Sequence, residues 1–388
     1  MVQEKQVAKV VWIVGSGFSA GLGGPLLKDL LHPRSGKDYK ASFHLTSTHE
    51  AVLRIFRAHH PEHKKEERTP GPTLWQHAEE FLDFVDCARV ADSIHAARFK
   101  AHFGDFSPVD AHRAACQLVA AECLFTDLRS DLKGEAWQPY IRWARWLTEN
   151  DTVVTFNYDR VLELLATSEW IKNDCEIRAH KACLTTESFL IPGVQEPAEG
   201  LAKVYKLHGS VDWLGLAEQV SVRSAADIIR EDRMPFIATP GPTKDLHSNG
   251  LLAPSWDRAL GAIREASVLI FLGYRFPPSD SESRRKLLAA IDDAQSRHLR
   301  VQTVLGPRKN EDDTVRLQSL LETMLTARRK EFEYLQRSAH PSVYPHSPFA
   351  DTASPNYHLH THPLYVQDFF TVLHNDLVIG PHMRRTKP

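Results

Sequence analysis

Residues 9–14 read KVVWIV, and the next seven are Gly15-Ser16-Gly17-Phe18-Ser19-Ala20-Gly21. A β-branched apolar run of this length reads as a buried strand, and here it ends on glycines that lead into a helix-like segment. No other stretch narrows the fold as much. One reading is the opening βα unit of a nucleotide-binding sheet, in which glycines let the backbone approach a pyrophosphate and the helix N-terminus offers N–H groups. Gly15-x-Gly17-x-x-Ala20 fits the loose dinucleotide pattern. A tight strand-to-helix turn without a ligand satisfies the same residues, so the stretch alone leaves its use open.

The strand–helix rhythm then breaks off and returns. Residues 59–73 are charged and proline-bearing, as an exposed loop would be. Leu74, Ala78, Phe81, Leu82, Val85 and Ala88 recur at helical spacing, residues 114–128 read as a buried helix, and Trp137, Tyr140, Ile141, Ala144 and Leu147 form a further stripe. Strands are expected again at 152–155, 203–207, 235–239, 267–272 and 300–305, with helices at 159–166, 256–266 and 281–295 between them. Short continuous apolar strands separated by helices predict an α/β fold: a doubly wound, parallel, Rossmann-like sheet with an inserted helical lobe. The expected organisation is a catalytic core of residues 1–30 and 150–310, a helical insertion at 31–149 and a C-terminal extension at 311–388. The sheet is expected to be complete at Leu305. A helix follows at 311–335, then an irregular stretch at 338–365 that includes a loop with His358, His360 and His362. The apolar helix at 366–378 must bury Val366, Phe369, Phe370, Val372, Leu373, Leu377 and Val378. Its place is either an assembly surface or the chain's own helical lobe.

Composition excludes several classes. The net charge of -2 gives no bulk attraction to nucleic acid or to an anionic membrane. No apolar run approaches the roughly 20 residues a membrane span needs. The N-terminus has no apolar signal core, which predicts a cytoplasmic protein. The five cysteines include no Cys-x-x-Cys pair, so neither a disulfide framework nor a structural zinc site is expected, and the metal expectation is none.

Ligands in such sheets sit at the carboxyl ends of the strands. Four of those ends are distinctive: the glycine loop, Thr155-Phe156-Asn157-Tyr158-Asp159, Leu207-His208-Gly209-Ser210, and Leu272-Gly273-Tyr274-Arg275-Phe276-Pro277-Pro278-Ser279-Asp280. Taken singly, Asn157 and Asp159 are helix-capping residue types, His208 is a core histidine and Gly273 a turn. Taken together, they converge on one edge of the sheet.

This set resembles the sirtuin-like superfamily, and within it the bacterial NAD-hydrolysing branch that acts in defence against phage. GSGFSAGLGGP at 15–25, TFNYDRVLE at 155–163, KLHGSVDWL at 206–214 and FLGYRFPPSD at 271–280 carry the resemblance. Protein deacylases of the superfamily carry a zinc module with paired Cys-x-x-Cys motifs, which is missing here. The family's Gly-Tyr-Ser is replaced by Gly273-Tyr274-Arg275, and Pro25 is followed by Leu26-Leu27-Lys28 in place of Asp-Phe-Arg. These departures weaken an acyl-lysine substrate and leave the nucleotide pocket.

The resemblance implies NAD as substrate, cleaved to nicotinamide and ADP-ribose without a metal. Asn157 would hold water or ribose near the reacting carbon, and His208 would be the general base on the ribose hydroxyls. Asp159 would bind the nicotinamide carboxamide. Gly15, Gly17 and Ser19 would line the pyrophosphate, with Ser16 and Phe18 in the same cofactor loop, and Gly273 and Tyr274 would line the adenosine half. It also implies a homo-oligomer and a separate defence partner such as a HerA-type ATPase. A zinc-free deacylase or ADP-ribosyltransferase, and a non-catalytic NAD or ADP-ribose sensor, are the alternatives.

Overall fold

The computed structural model describes residues 7–31, 44–59, 75, 78–89, 93–124, 134–168, 183–238, 250–277, 280–296, 299–307, 312–338, 357–380 and 383. Its strands are β1 (Val10–Val14), β2 (Asp151–Thr155), β3 (Lys203–Lys206), β4 (Trp213–Gly215), β5 (Val220–Val222), β6 (Val268–Leu272), β7 (Arg300–Val304) and β8 (His358–His362). β4 and β5 pair as an antiparallel hairpin. The other six form one parallel sheet in the order β3-β2-β1-β6-β7-β8. The chain winds outward from β1 to β3 and then returns to the far side of β1, so the order reverses between β1 and β6. That is the Rossmann-like arrangement expected, and its crevice lies at the reversal.

The helices are α1 (Ser16–Ala20), α2 (Ser47–Ala58), α3 (Ala78–Cys87), α4 (Ile94–Phe103), α5 (Pro108–Cys123), α6 (Gln138–Trp146), α7 (Val161–Thr167), α8 (Ala225–Arg230), α9 (Ala253–Glu265), α10 (Ser281–Asp292), α11 (Asp312–Ser338), α12 (Val366–Thr371) and α13 (Asn375–Val378). All five residues of β1 are buried, because strand alternation sends Val10, Trp12 and Val14 to one face and Val11 and Ile13 to the other. The first face is covered by α6, α7, α12 and α13, the second by α9, α10 and α11. Trp12 meets Trp143 and Trp146 edge-on at 5.8 and 5.7 Å, and its indole N–H donates to Asp151 Oδ1 at 3.0 Å. The expected insertion divides in two. Helices α2 to α5 bury Phe56, Phe81, Phe99 and Leu118 in a cluster of their own, which also takes in Tyr158 and Val211. Helix α6 instead belongs to the layer on the sheet.

The C-terminal region departs from expectation. The sheet does not end at Leu305: β8 pairs with β7 along its whole length and adds a sixth strand. The His358, His360 and His362 tract lies on that edge strand, not in a loop. Its alternating histidines face a half-buried environment, which imitates loop polarity in sequence. The apolar run at 366–378 breaks into α12 and α13 and packs on its own chain. Phe370 stacks on Trp143 at 5.4 Å, and Val366, Phe369, Phe370 and Val378 are buried. The strand expected at 235–239 reduces, in its described part, to one isolated bridge between Ile237 and Gly209, two residues after Pro235, which has no N–H to donate.

Candidate functional site

The ladder register brings the distinctive strand ends to one level. The last paired positions are Val14 with Thr155 and Leu272, and Thr155 with Lys206. One residue further stand Gly15, Phe156, Leu207 and Gly273. The next level holds Ser16, Asn157, His208 and Tyr274. Backbone bonds carry the ladder into the first level, from Gly15 N–H to Leu272 O (3.0 Å), Phe156 N–H to Val14 O (3.0 Å) and Leu207 N–H to Thr155 O (2.9 Å).

The glycines serve contacts inside the protein. A Cβ on Gly15 would stand 2.7 Å from Tyr274 Cα, and one on Gly17 the same distance from Gly273 Cα. Gly273 itself has φ +65°, which a side chain would strain. Bare backbone just after β1 thus lets the 273–274 turn cross it and carries Tyr274 over to Phe156, where the rings stack at 4.1 Å and 7°. Two N–H groups of the glycine loop are engaged as well: Gly17 donates to Gly273 O at 3.2 Å and Phe18 to Gly15 O at 2.9 Å. These are groups that the sequence reading offered to a pyrophosphate.

The loops after β1 and β2 carry a polar cluster. Asn157 donates from Nδ2 to Ser19 Oγ at 3.3 Å, and Ser19 donates to Ser16 O at 3.3 Å. Asp159 accepts from Val161 N–H at 3.1 Å. Burial pushes the Asp159 carboxyl above its ordinary range, against the opposing charge of Lys206 and hydrogen bonds from Val161, Ser19 and Asn157. Lys206 is itself almost fully buried. Its ammonium donates at 2.7 Å to each of Asp159 O, Glu163 Oε1 and Ser210 Oγ. All three donor positions are matched, which is what a buried cation requires. The lysine therefore ties the loop after β2 to the loop after β3. Burial also raises Glu163, again against the Lys206 charge.

His208, at the end of β3, is 3% exposed. Its ring meets Phe156 edge-on at 4.9 Å and Tyr158 at 6.1 Å. Its Nε2 lies 3.8 Å from Asp280 Oδ1, and Tyr274 donates its hydroxyl to Asp280 Oδ2 at 3.3 Å. Trp256 anchors the strand below by donating to Leu207 O at 3.1 Å.

The structure thus groups Ser16, Ser19, Asn157 and Asp159 in one cluster and His208, Tyr274 and Asp280 in a second, with Phe156 touching His208 and Tyr274 and with Gly15, Gly17 and Gly273 as packing points. Phe18 is placed differently. Its ring is buried in the core against Tyr140, Trp143 and Phe370, and its carbonyl accepts from Tyr140 at 2.6 Å. Arg275 donates to Leu305 O at 2.7 Å, at the end of β7. Pro278 and Ser279 lie outside the described residues. Sequence reasoning passed over Lys206 and Asp280, although both stand inside the motifs it singled out. Among the described residues no His, Cys, Asp and Glu side chains group closely enough to hold a metal ion.

Residues 151–327 match the model of the SIR2-like domain family. The span opens at β2 and holds Asn157, Asp159, Lys206, His208, Gly273, Tyr274 and Asp280, while the glycine loop precedes it. The match supports the sirtuin-like superfamily and an NAD-related function for the span it covers. No curated protein matches the chain. Among solved structures, that of Sir2Tm bound to a propionylated peptide aligns over 95% of this chain and 92% of that chain, with 14% identity and a TM-score of 0.34. That likeness is too distant to carry functional weight.

Proposed function

We propose that the chain is an NAD glycohydrolase that cleaves NAD to nicotinamide and ADP-ribose. One observation carries this reading: Asn157 and His208 stand at the same level on the adjacent ends of β2 and β3, with Asp159 buried two residues from Asn157. The leaving nicotinamide is a neutral pyridine and needs no proton, while the ribose becomes oxocarbenium-like. Asn157, whose amide both donates and accepts, holds a water or the ribose at the reacting carbon. His208 takes the proton from the attacking oxygen. Asp159, with its carboxyl raised, suits a hydrogen bond to the nicotinamide carboxamide. Ser16 and Ser19 face the phosphates.

In the cell this activity would deplete NAD, as an effector of antiphage defence, with self-assembly or a separate partner such as a HerA-type ATPase as the trigger. Residues 1–30 and 150–310 would supply the chemistry. The test is incubation of the purified chain with NAD, with and without an acetylated peptide, and identification of products by mass spectrometry. Nicotinamide and an ADP-ribose product without peptide are expected. Cleavage that strictly required the acylated peptide would overturn the hydrolase reading.

A further inference from the structure

Asp280 occupies the N-cap of α10, where an aspartate ordinarily turns its carboxylate back onto the first helical N–H groups. Here the side chain makes no capping bond. Both oxygens face the other way: Oδ2 accepts from Tyr274 at 3.3 Å, and Oδ1 lies 3.8 Å from His208 Nε2. Asp280 and His208 are each 3% exposed, so water screens little of the attraction between an ionised carboxylate and a protonated imidazole. The approach to this carboxylate is also built with some strain. Gly273 (φ 65°) and Phe276 (φ 51°) both sit in left-handed backbone, and a bulky side chain rarely adopts that conformation. Phe276 is held there by edge contacts to Phe271 and Tyr274. Phe156 stacks on Tyr274 and meets His208 edge-on, so the tyrosine and the imidazole share one rigid neighbour.

We infer that Asp280 is the positioning residue for His208, with Tyr274 fixing the plane of its carboxylate. This rests on the reading of His208 as general base. The carboxylate facing Nε2 favours the tautomer in which that nitrogen carries the proton, so the acceptor in the reaction is Nδ1. As the O–H bond of the attacking water or ribose hydroxyl breaks, its proton goes to Nδ1 and its electron pair stays on oxygen. That oxygen bonds the ribose carbon as the bond to nicotinamide breaks with its pair on the pyridine nitrogen. The cation left on His208 faces Asp280, and the 3.8 Å contact shortens as the charge develops. The charged and titratable groups identified around the imidazole are Asp280 from α10 and Tyr158 from the loop after β2, with Tyr274 reached through Asp280.

The experiment compares the parent with Asp280→Asn and Tyr274→Phe in two ways. The first is NAD cleavage over a range of pH. The second is an NMR titration of imidazole-labelled full-length chain, with His208 identified by the resonance missing in His208→Gln. Asparagine keeps an oxygen for the tyrosine hydroxyl and removes only the charge. In Asp280→Asn the His208 titration, and the acid limb of kcat/KM, should move down by about one pH unit. Its kcat should fall at least about tenfold with little change in KM. A merely structural role would lower melting temperature and leave the titration in place. If Asp280→Asn cannot be folded, Tyr274→Phe decides: a lower kcat at constant KM supports the assignment, and unchanged kinetics overturn it. A parent that fails to cleave NAD, but whose His208 titration depends on Asp280, would sink the hydrolase reading and support the pairing. A parent that cleaves NAD while Asp280→Asn keeps its kcat and its His208 titration would overturn the pairing alone.

Discussion

Gly15 and Tyr274 are in backbone contact across the carboxyl edge of the sheet, so close that no side chain fits at position 15. The glycine loop is therefore a packing device before it is anything else. Gly15→Ala should lower stability by about 1–3 kcal/mol, the usual range for overpacking, because backbone must yield. It should also displace Tyr274 from Phe156 and lower NAD turnover. Thermal denaturation and a kinetic assay check both. A variant as stable and active as the parent would mean that the loop yields freely.

Asn157→Ala and His208→Ala should each reduce NAD turnover by about 100-fold or more, in line with losing a positioned acid–base group. Both residues lie at strand ends and contribute no ladder bond through their side chains, so circular dichroism should remain that of the parent. Full activity in either variant would remove that residue from the reaction.

Lys206→Met strips the charge from a site where Glu163 and two other acceptors depend on it. Breaking a buried pair from one side should cost about 3–5 kcal/mol. Adding Glu163→Leu should recover much of that loss, since an apolar pair of similar volume leaves no buried charge. Chemical denaturation of the single and double variants measures the difference. Equal stabilities for parent and single variant would show that Lys206 is no strut.

Phe370→Ala should destabilise by about 3–5 kcal/mol, because its ring fills the core against Trp143, Phe18 and Tyr140. Truncation at Glu331 removes β8 and α12 together and should abolish cooperative unfolding. A truncated chain that still melts cooperatively and cleaves NAD would return the region to the status of an appendage.

Burial lowers His112 from its ordinary value to about 4, although Asp86 opposes this from 3.6 Å. Between about pH 6.5 and 4 the unfolded chain binds a proton there that the folded chain refuses. Stability should therefore fall as the pH drops through that window and be unaffected by this group above it. His112→Leu should flatten the slope by up to about 1.4 kcal/mol per pH unit. Denaturation midpoints at pH 4.5, 5.5 and 7, all chosen values, read this directly.

The central strands and their distinctive ends are legible in the sequence, since continuous apolar runs that stop at glycine, asparagine or histidine have few other meanings. What escaped depends on neighbours far apart along the chain. The reason for Gly15 is Tyr274, which matters only once β1 and β6 are known to be adjacent. Asp280 stands where a helix cap would, and only the fold shows that it faces Tyr274 and His208 instead. Lys206 looks like any strand-end lysine until residues 159, 163 and 210 close around it. β8 escaped for a different reason: one half-exposed side of an edge strand gives an alternation of histidine with threonine and leucine that local polarity cannot separate from a loop.

The position of β1 also sets an order of events. It is one of the two central strands, yet Val10 pairs with Asp151 on one side and Val268 on the other. A ribosome delivers VVWIV first and its two neighbours much later. Contacts this distant along the chain close slowly. In the interval a five-residue apolar β segment waits with both edges unsatisfied, the kind of stretch that pairs with copies of itself. Folding yield of this chain should therefore depend on temperature and synthesis rate more than its finished core suggests, and β1 is where chaperones have most to protect.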